Sequence, residues 1–163
     1  MKLEVATEAD VATLVALRNA TSEHLTLQFG KGPWSGQGTE RGARFGMTRS
    51  TVYIFRRRGR LIATFALTTR KPWAIDTSYF TASKRPLYLI GMAVDPKEQR
   101  KGIGRRCLER AARIAKEWPG DAIRLDAFDA QAGAGEFYAK CGFREVGRTA
   151  YRGNPLIYFE MLV

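Results

Sequence analysis

Gln99-Arg100-Lys101-Gly102-Ile103-Gly104 stands between a strand pattern and a helix pattern, and its reading decides the fold. Upstream, Leu87-Tyr88-Leu89-Ile90-Gly91-Met92-Ala93-Val94 is a nearly continuous apolar run closed by Asp95-Pro96, as expected of a buried strand and its exit turn. Downstream, Ile103, Cys107, Leu108, Ala111, Ala112, Ile114, Ala115 and Trp118 recur at helical spacing, and Arg105, Arg106, Glu109, Arg110, Arg113 and Lys116 fill the other face. Two glycines at the junction let the backbone approach a ligand closely. The first N–H groups of a helix lack partners within it and sit at its positive end, so the turn suits an anion such as a pyrophosphate. It matches neither of the two common phosphate loops: Gly-x-x-x-x-Gly-Lys-[Ser/Thr] and Gly-x-Gly-x-x-Gly are both absent.

Working outward, Leu3-Glu4-Val5 reads as a first strand and Thr7-Glu8-Ala9-Asp10 as a capping box with Asp in place of Glu. Val11, Leu14, Val15 and Leu17 give the next helix an apolar face that ends near Asn19. Thr26 to Gly38, rich in glycine and with Phe29 and Trp34 among them, reads as a loop, and Thr39 to Thr48 as a second short helix. Val52–Phe55 and Leu61–Leu67 form a hairpin about Arg57-Arg58-Gly59-Arg60, whose charges read as a solvated tip. Lys71 to Pro86, with Trp73, Tyr79 and Phe80, is a long connection of the kind that often carries function. Pro119-Gly120 stops the long helix, and Ile123–Phe128 is the next strand. Glu136–Cys141 is a short helix ended by Gly142, and Arg144–Tyr151 and Leu156–Val163 are the last two strands.

The 163 residues are enough for one domain, read as 1–163, with one core. The start reads as no signal peptide, and no apolar run reaches the roughly 18 residues of a membrane span. Cys107 and Cys141 read as reduced packing residues of a cytoplasmic protein. A catalytic thiol and a metal site are both disfavoured, since His24 is the one histidine. Lys plus Arg is 27 against 16 for Asp plus Glu, a net charge of +11 that draws in anions. A nucleic acid is a competing explanation of that charge, with no motif behind it.

A second block, Ala134-Gly135-Glu136-Phe137-Tyr138-Ala139-Lys140-Cys141-Gly142-Phe143, lies downstream of the glycine turn. The two together resemble the GNAT-type N-acetyltransferase superfamily. Gln99 to Gly104 matches its [Gln/Arg]-x-x-Gly-x-[Gly/Ala] signature, and Phe137-Tyr138 with Gly142-Phe143 matches its aromatic-Tyr helix closed by Gly-Phe. The resemblance implies an α/β (α+β) fold: a mixed, mostly antiparallel sheet of about seven strands, with about four helices on its faces. It implies acetyl-CoA as acyl donor and transfer to a primary amine by direct attack in a ternary complex. The backbone of Met92, Ala93 and Val94 would pair with the pantetheine amides, and the turn Gln99, Arg100, Lys101, Gly102, Ile103, Gly104 and Arg105 would hold the pyrophosphate. Tyr138 would protonate the departing thiolate as a general acid, while Phe137 and Phe143 pack. Many relatives carry an asparagine seven residues before the tyrosine; Gln131 stands here, with the same amide on a longer arm.

No base is identified. Leu87–Val94 has no carboxylate, which leaves Asp126, Asp129 and Asp76, with a salt bridge to a nearby arginine as the plainer expectation for Asp126. Tyr79 and Tyr88 are further candidates to assist. Trp34 and Trp73 fall in segments that flank the family's acceptor pocket and are read equally as pocket walls or loop anchors. Homodimer formation through Tyr158, Phe159 and the last strand follows from family analogy alone. Two other readings stay open: a non-catalytic acyl-CoA-sensing or partner-binding module on the same fold, and an acetyltransferase acting on aminoacyl-tRNA.

Overall fold

A computed structural model describes residues 1–163. In chain order its elements are β1 (Lys2–Val5), α1 (Val11–Phe29), α2 (Glu40–Arg49), β2 (Thr51–Arg57), β3 (Arg60–Thr68), β4 (Pro86–Val94), α3 (Ile103–Glu117), β5 (Ala122–Phe128), α4 (Gly135–Lys140), β6 (Arg144–Tyr151) and β7 (Asn154–Leu162). The strand order is β1-β2-β3-β4-β5-β7-β6. β1–β2, β2–β3, β5–β7 and β6–β7 pair antiparallel, and β4–β5 pairs parallel. Seven strands and four helices are thus present, as the resemblance implies. The chain divides into two compact units, Met1–Thr68 with Ile90–Cys107, and Thr69–Leu89 with Leu108–Val163.

In the first unit, β2 and β3 turn at Arg58 (φ 51°) and Gly59 (φ 76°), two successive left-handed residues that give a tight hairpin. Ala6, Leu14, Leu17, Val52, Ile54, Leu61 and Ala66 form its core, with Met47 and Ile90 packed against them. A side chain as large as Leu14 or Ile54, fully buried, contributes about 1.5–3 kcal/mol. Before α1 the Thr7 N–H donates to Asp10 Oδ2 at 2.8 Å, the half of the capping box in which the acidic residue reaches back.

α1 runs ten residues past the end expected at Asn19, and the loop expected from Thr26 begins only at Gly30. Along the polar stretch the hydroxyls are satisfied within the helix, Thr21 Oγ1 donating to the Leu17 carbonyl at 3.0 Å and Thr26 Oγ1 to the Ser22 carbonyl at 2.8 Å. Gly30 (φ 81°) ends it. Trp34 serves as a loop anchor: its indole N–H donates to the Gly30 carbonyl at 2.9 Å. Trp73, by contrast, is 88 % exposed.

In the second unit β7 lies between β5 and β6, with Asp126 opposite Tyr158 and Arg124 opposite Glu160. The connection ahead of β4 contains a short helical turn, Thr77–Tyr79, and is fastened down. Ile75 and Phe80 pack with Tyr88 and Tyr158. Tyr158 Oη accepts the Asp76 N–H at 3.1 Å and donates to the Ala74 carbonyl. Buried Glu160 accepts the Thr81 hydroxyl at 2.5 Å and Arg144 Nη2 at 2.6 Å. Tyr158 (1 % exposed) and Phe159 (3 %) are core residues, because an interior strand carries them. The expectation that they supply a dimer surface is therefore corrected.

Candidate active site

The glycine turn belongs to the first unit and is built at the exit of β4. Asp95 anchors it to β3, its N–H donating to the Ile62 carbonyl at 2.9 Å. Its carboxylate accepts the Lys97 N–H at 2.9 Å and so caps the turn Pro96–Glu98. The Gln99 amide donates back to the Val94 carbonyl at 3.1 Å. Arg100 (φ 61°) and Gly102 (φ 77°) are left-handed. The first rung of α3 is the Arg106 N–H to the Gly102 carbonyl at 3.2 Å, so the N–H groups of Ile103 and Gly104 lie ahead of the ladder. No atom of the neighbouring chain comes within 4 Å of where a Cβ at Gly102 would stand. The turn therefore has free space on the Cβ side of Gly102 and backbone donors without helical partners at the head of α3, the features that an anion such as a pyrophosphate needs.

A carboxylate holds that turn in shape. Glu98, only 6 % exposed, accepts Arg57 Nη2, Arg60 Nη2 at 2.6 Å and Lys101 Nζ at 3.2 Å. Lys101 Nζ also donates to the Lys97 carbonyl at 2.9 Å, so its ammonium is folded back onto its own turn. These contacts, led by the hydrogen bond from Arg57, hold the Glu98 carboxyl below its usual range. The hairpin charges read as a solvated tip are thus structural. Arg57 and Arg60 grip Glu98, and Arg56 pairs with Glu4 at 2.9 Å and with Asp10. The role of Glu98 is hard to read in sequence because two of its three partners lie about forty residues away, although one acid among the basic residues from Lys97 to Arg106 is a signal.

Met92, Ala93 and Val94 form the last part of β4, immediately before this turn and in the same unit. Pairing of β4 with β5 runs over Pro86–Tyr88 and Ala122–Arg124. Along β4 the burial pattern breaks at Gly91, which is exposed and left-handed (φ 60°).

Tyr138 and Gln131 lie in the second unit. Tyr138 is 8 % exposed on α4, with ring centroids 5.3 Å from Phe137, 5.7 Å from Phe143 and 6.0 Å from Phe159. Phe137 and Phe143 therefore pack around it. The Phe143 N–H donates to the Tyr138 carbonyl at 3.1 Å, and Gly142 (φ 92°) turns the chain to allow this. Gln131 is exposed in the turn between β5 and α4.

The three candidate carboxylates separate clearly. Asp129 is paired with Arg148 at 3.4 Å. Asp76 caps its own turn, and the hydrogen bonds from Ser78 hold its carboxyl low. Asp126, half-buried on β5, has no cation beside it, so the expected salt bridge does not form. Burial instead pushes its carboxyl above the usual range. The nearby arginine, Arg124, is spent on the Tyr88 hydroxyl at 3.2 Å and the Thr81 carbonyl at 2.8 Å, which also fixes Tyr88 as a structural residue. Cys107 is fully buried and its thiol is pushed up to about 12, the property of a packing residue.

The profile of the family described as Acetyltransferase (GNAT) family matches residues 18–143. Among solved structures, a ribosomal-protein-alanine N-acetyltransferase from Brucella melitensis superposes with a TM-score of 0.74 at 17 % identity, covering 100 % of each chain. The ribosomal-protein-S18-alanine N-acetyltransferase from Escherichia coli gives 0.72 at 15 % identity, covering 99 % of this chain and 93 % of its own. A putative acetyltransferase from Salmonella typhimurium, in a structure with its cofactor acetyl-CoA, gives 0.71 at 15 % identity, with 99 % and 93 % covered. No curated protein matches in sequence. No helix is long and apolar enough to cross a membrane.

Proposed function

The chain belongs to the acetyltransferase (GNAT) family, acyltransferases that take acetyl-CoA as co-substrate; from that premise we propose that it transfers the acetyl group to a primary amine by direct attack in a ternary complex. The observation that carries this reading is the cradle at Gly102, open to a ligand at the head of α3. The chemistry acetyl-CoA supplies there is an activated thioester. The N–H groups of the turn Gln99–Arg105 hold the pyrophosphate, and the backbone of Met92–Val94 pairs with the pantetheine amides as an added strand would. The Gln131 amide adds a contact to the cofactor. Tyr138 Oη gives its proton to the departing sulfur, from a ring packed against Phe143 and Phe159. Asp126 takes the proton of the acceptor ammonium. Support for that role is its raised carboxyl pKa without a competing cation, which moves it toward the range of a useful base.

The two units act as one domain in this reading, 1–163, since the family profile runs across both. The two free cysteines suit a cytoplasmic enzyme. The test is calorimetric titration of acetyl-CoA into the protein, followed by an amine screen read by release of free thiol. Micromolar one-to-one binding with turnover of an amine is expected. Binding without turnover of any amine would favour an acyl-CoA-sensing module, and absence of binding would overturn the reading.

A further inference from the structure

Arg18 is an anomaly of charge. It sits four residues after Leu14 on α1, so it continues the stripe that Leu14 and Leu17 bury against Ile90. A cation on such a stripe normally finds a carboxylate or a carbonyl. Arg18 Nε has no solvent-exposed surface and no hydrogen-bond partner. No ion pair of the structure includes Arg18: Glu4 and Asp10 pair with Arg56, Glu8 with Arg44, Asp95 with Arg60 and Glu98 with Arg57. Burial is the one influence acting on the guanidinium, and it disfavours the charge.

The fork of the guanidinium is placed over β4. Arg18 Nη2 lies 3.2 Å from where a Cβ at Gly91 would stand, and Cζ lies 3.7 Å from it. Gly91 is exposed and left-handed, so a side chain there would be strained and would crowd the fork. The missing side chain at Gly91 thus lets the guanidinium lie against an exposed stretch of backbone, with no carboxylate paired to it. A desolvated cation is costly unless an anion is brought to it. A planar fork of donors suits a carboxylate or a phosphate, both of which accept two parallel bonds.

Acetyl-CoA is anionic only at its phosphates, which the proposed function places at the turn beyond Val94. Gly91 lies three residues earlier on the strand, about 10 Å at the usual rise. The anion that completes Arg18 therefore belongs to the other substrate. We propose that Arg18 recognises an anionic group, carboxylate or phosphate, on a small acceptor amine, so that the substrates are amino acids or amino phosphates rather than plain amines. This rests on the acetyltransferase reading above.

The test uses the full chain, wild type, Arg18→Gln and Arg18→Lys, and matched probes that differ by the anion. These are L-phenylalanine against phenethylamine, L-methionine against 3-(methylthio)propylamine, and phosphoethanolamine against ethanolamine. Acetyl-CoA affinity is measured first on each protein. The Arg18 Nε–H resonance of wild type is then followed as each probe is added, and initial rates are taken by thiol release. An anionic member is expected to shift that resonance and to exceed its neutral partner in kcat/KM by about 10- to 100-fold, the scale of a hydrogen bond to a charged group. Arg18→Gln should erase the preference through KM with acetyl-CoA affinity kept, and Arg18→Lys should retain part of it. The amino-acid and phosphoethanolamine arms tell which anion is meant. No shift of the resonance and no preference, or a preference that survives Arg18→Gln, overturns the proposal while leaving acetyl-CoA binding intact. A shift with anionic probes in a protein that ignores acetyl-CoA supports the anion site and refutes the acetyltransferase reading.

Discussion

Gly102→Val separates the fold from the cofactor cradle. Gly102 holds φ at 77°, where an L side chain is strained. A left-handed alanine costs about 1–2 kcal/mol, and a β-branched residue costs more. Nothing in the chain lies within 4 Å of the new Cβ, so no clash is added to that strain. Against a total stability of about 5–15 kcal/mol the variant remains folded. A chain of this size loses about 2–4 °C in Tm per kcal/mol, so Gly102→Ala should melt about 2–8 °C lower and Gly102→Val somewhat lower again. The same methyl groups occupy the space that a pyrophosphate needs. Losing two hydrogen bonds to a charged group, at about 1.5–3 kcal/mol each, weakens binding by about 10²- to 10⁴-fold. Calorimetric titration of acetyl-CoA, run beside thermal denaturation, reads both quantities on one sample. Wild-type affinity in a folded Gly102→Val protein would mean that the pyrophosphate lies elsewhere, and the proposed cradle would fall.

Tyr138→Phe is expected to keep acetyl-CoA affinity and slow turnover by about 10²-fold or more, the usual scale for losing a positioned acid; unchanged kcat in steady-state assays would remove the phenol from the mechanism. For Asp126 the folded-state pKa is raised, so the burial penalty on its charge is absent below the unfolded value and grows as pH rises through the folded one. Asp126→Asn should therefore raise Tm at neutral pH but not in acid, while removing the acid limb from the pH profile of kcat/KM; a variant with the same profile as wild type would deny Asp126 the role of base. Cys107, with its thiol near 12 and no exposed surface, should resist a thiol reagent at pH 8 until denaturant is added. Rapid labelling of Cys107 in the native protein, located by peptide mapping, would contradict the packing described.

Local signals made most of the fold legible. The apolar run Leu87–Val94, the Arg58-Gly59 turn between two apolar segments and the Gly142 stop after α4 each name an element on its own. The end of α1 is hard to read because Thr21, Ser22 and Thr26 are weak helix formers by type, and only the packed structure shows the helix running on to Phe29. What escaped was pairing at a distance. Glu98 is unremarkable in sequence until the β2–β3 hairpin brings Arg57 and Arg60 to it. Asp126 has an arginine two residues away in sequence and none as a partner, because Thr81 and Tyr88 claim Arg124 first. Periodicity assigns Arg18 to a helix face but says nothing of the glycine over which its fork lies.

The attachment of the glycine turn to its surroundings makes it a poor motif to transplant. Three cations meet at Glu98, two of them on the β2–β3 hairpin, and Asp95 is tied to the Ile62 carbonyl of that same hairpin. The six residues from Gln99 to Gly104 would lose those moorings if grafted alone onto another strand and helix. An engineer who wished to move the cradle would have to carry the hairpin with it, and one who wished to loosen it could work at Arg57 or Arg60 without touching a residue that meets the ligand.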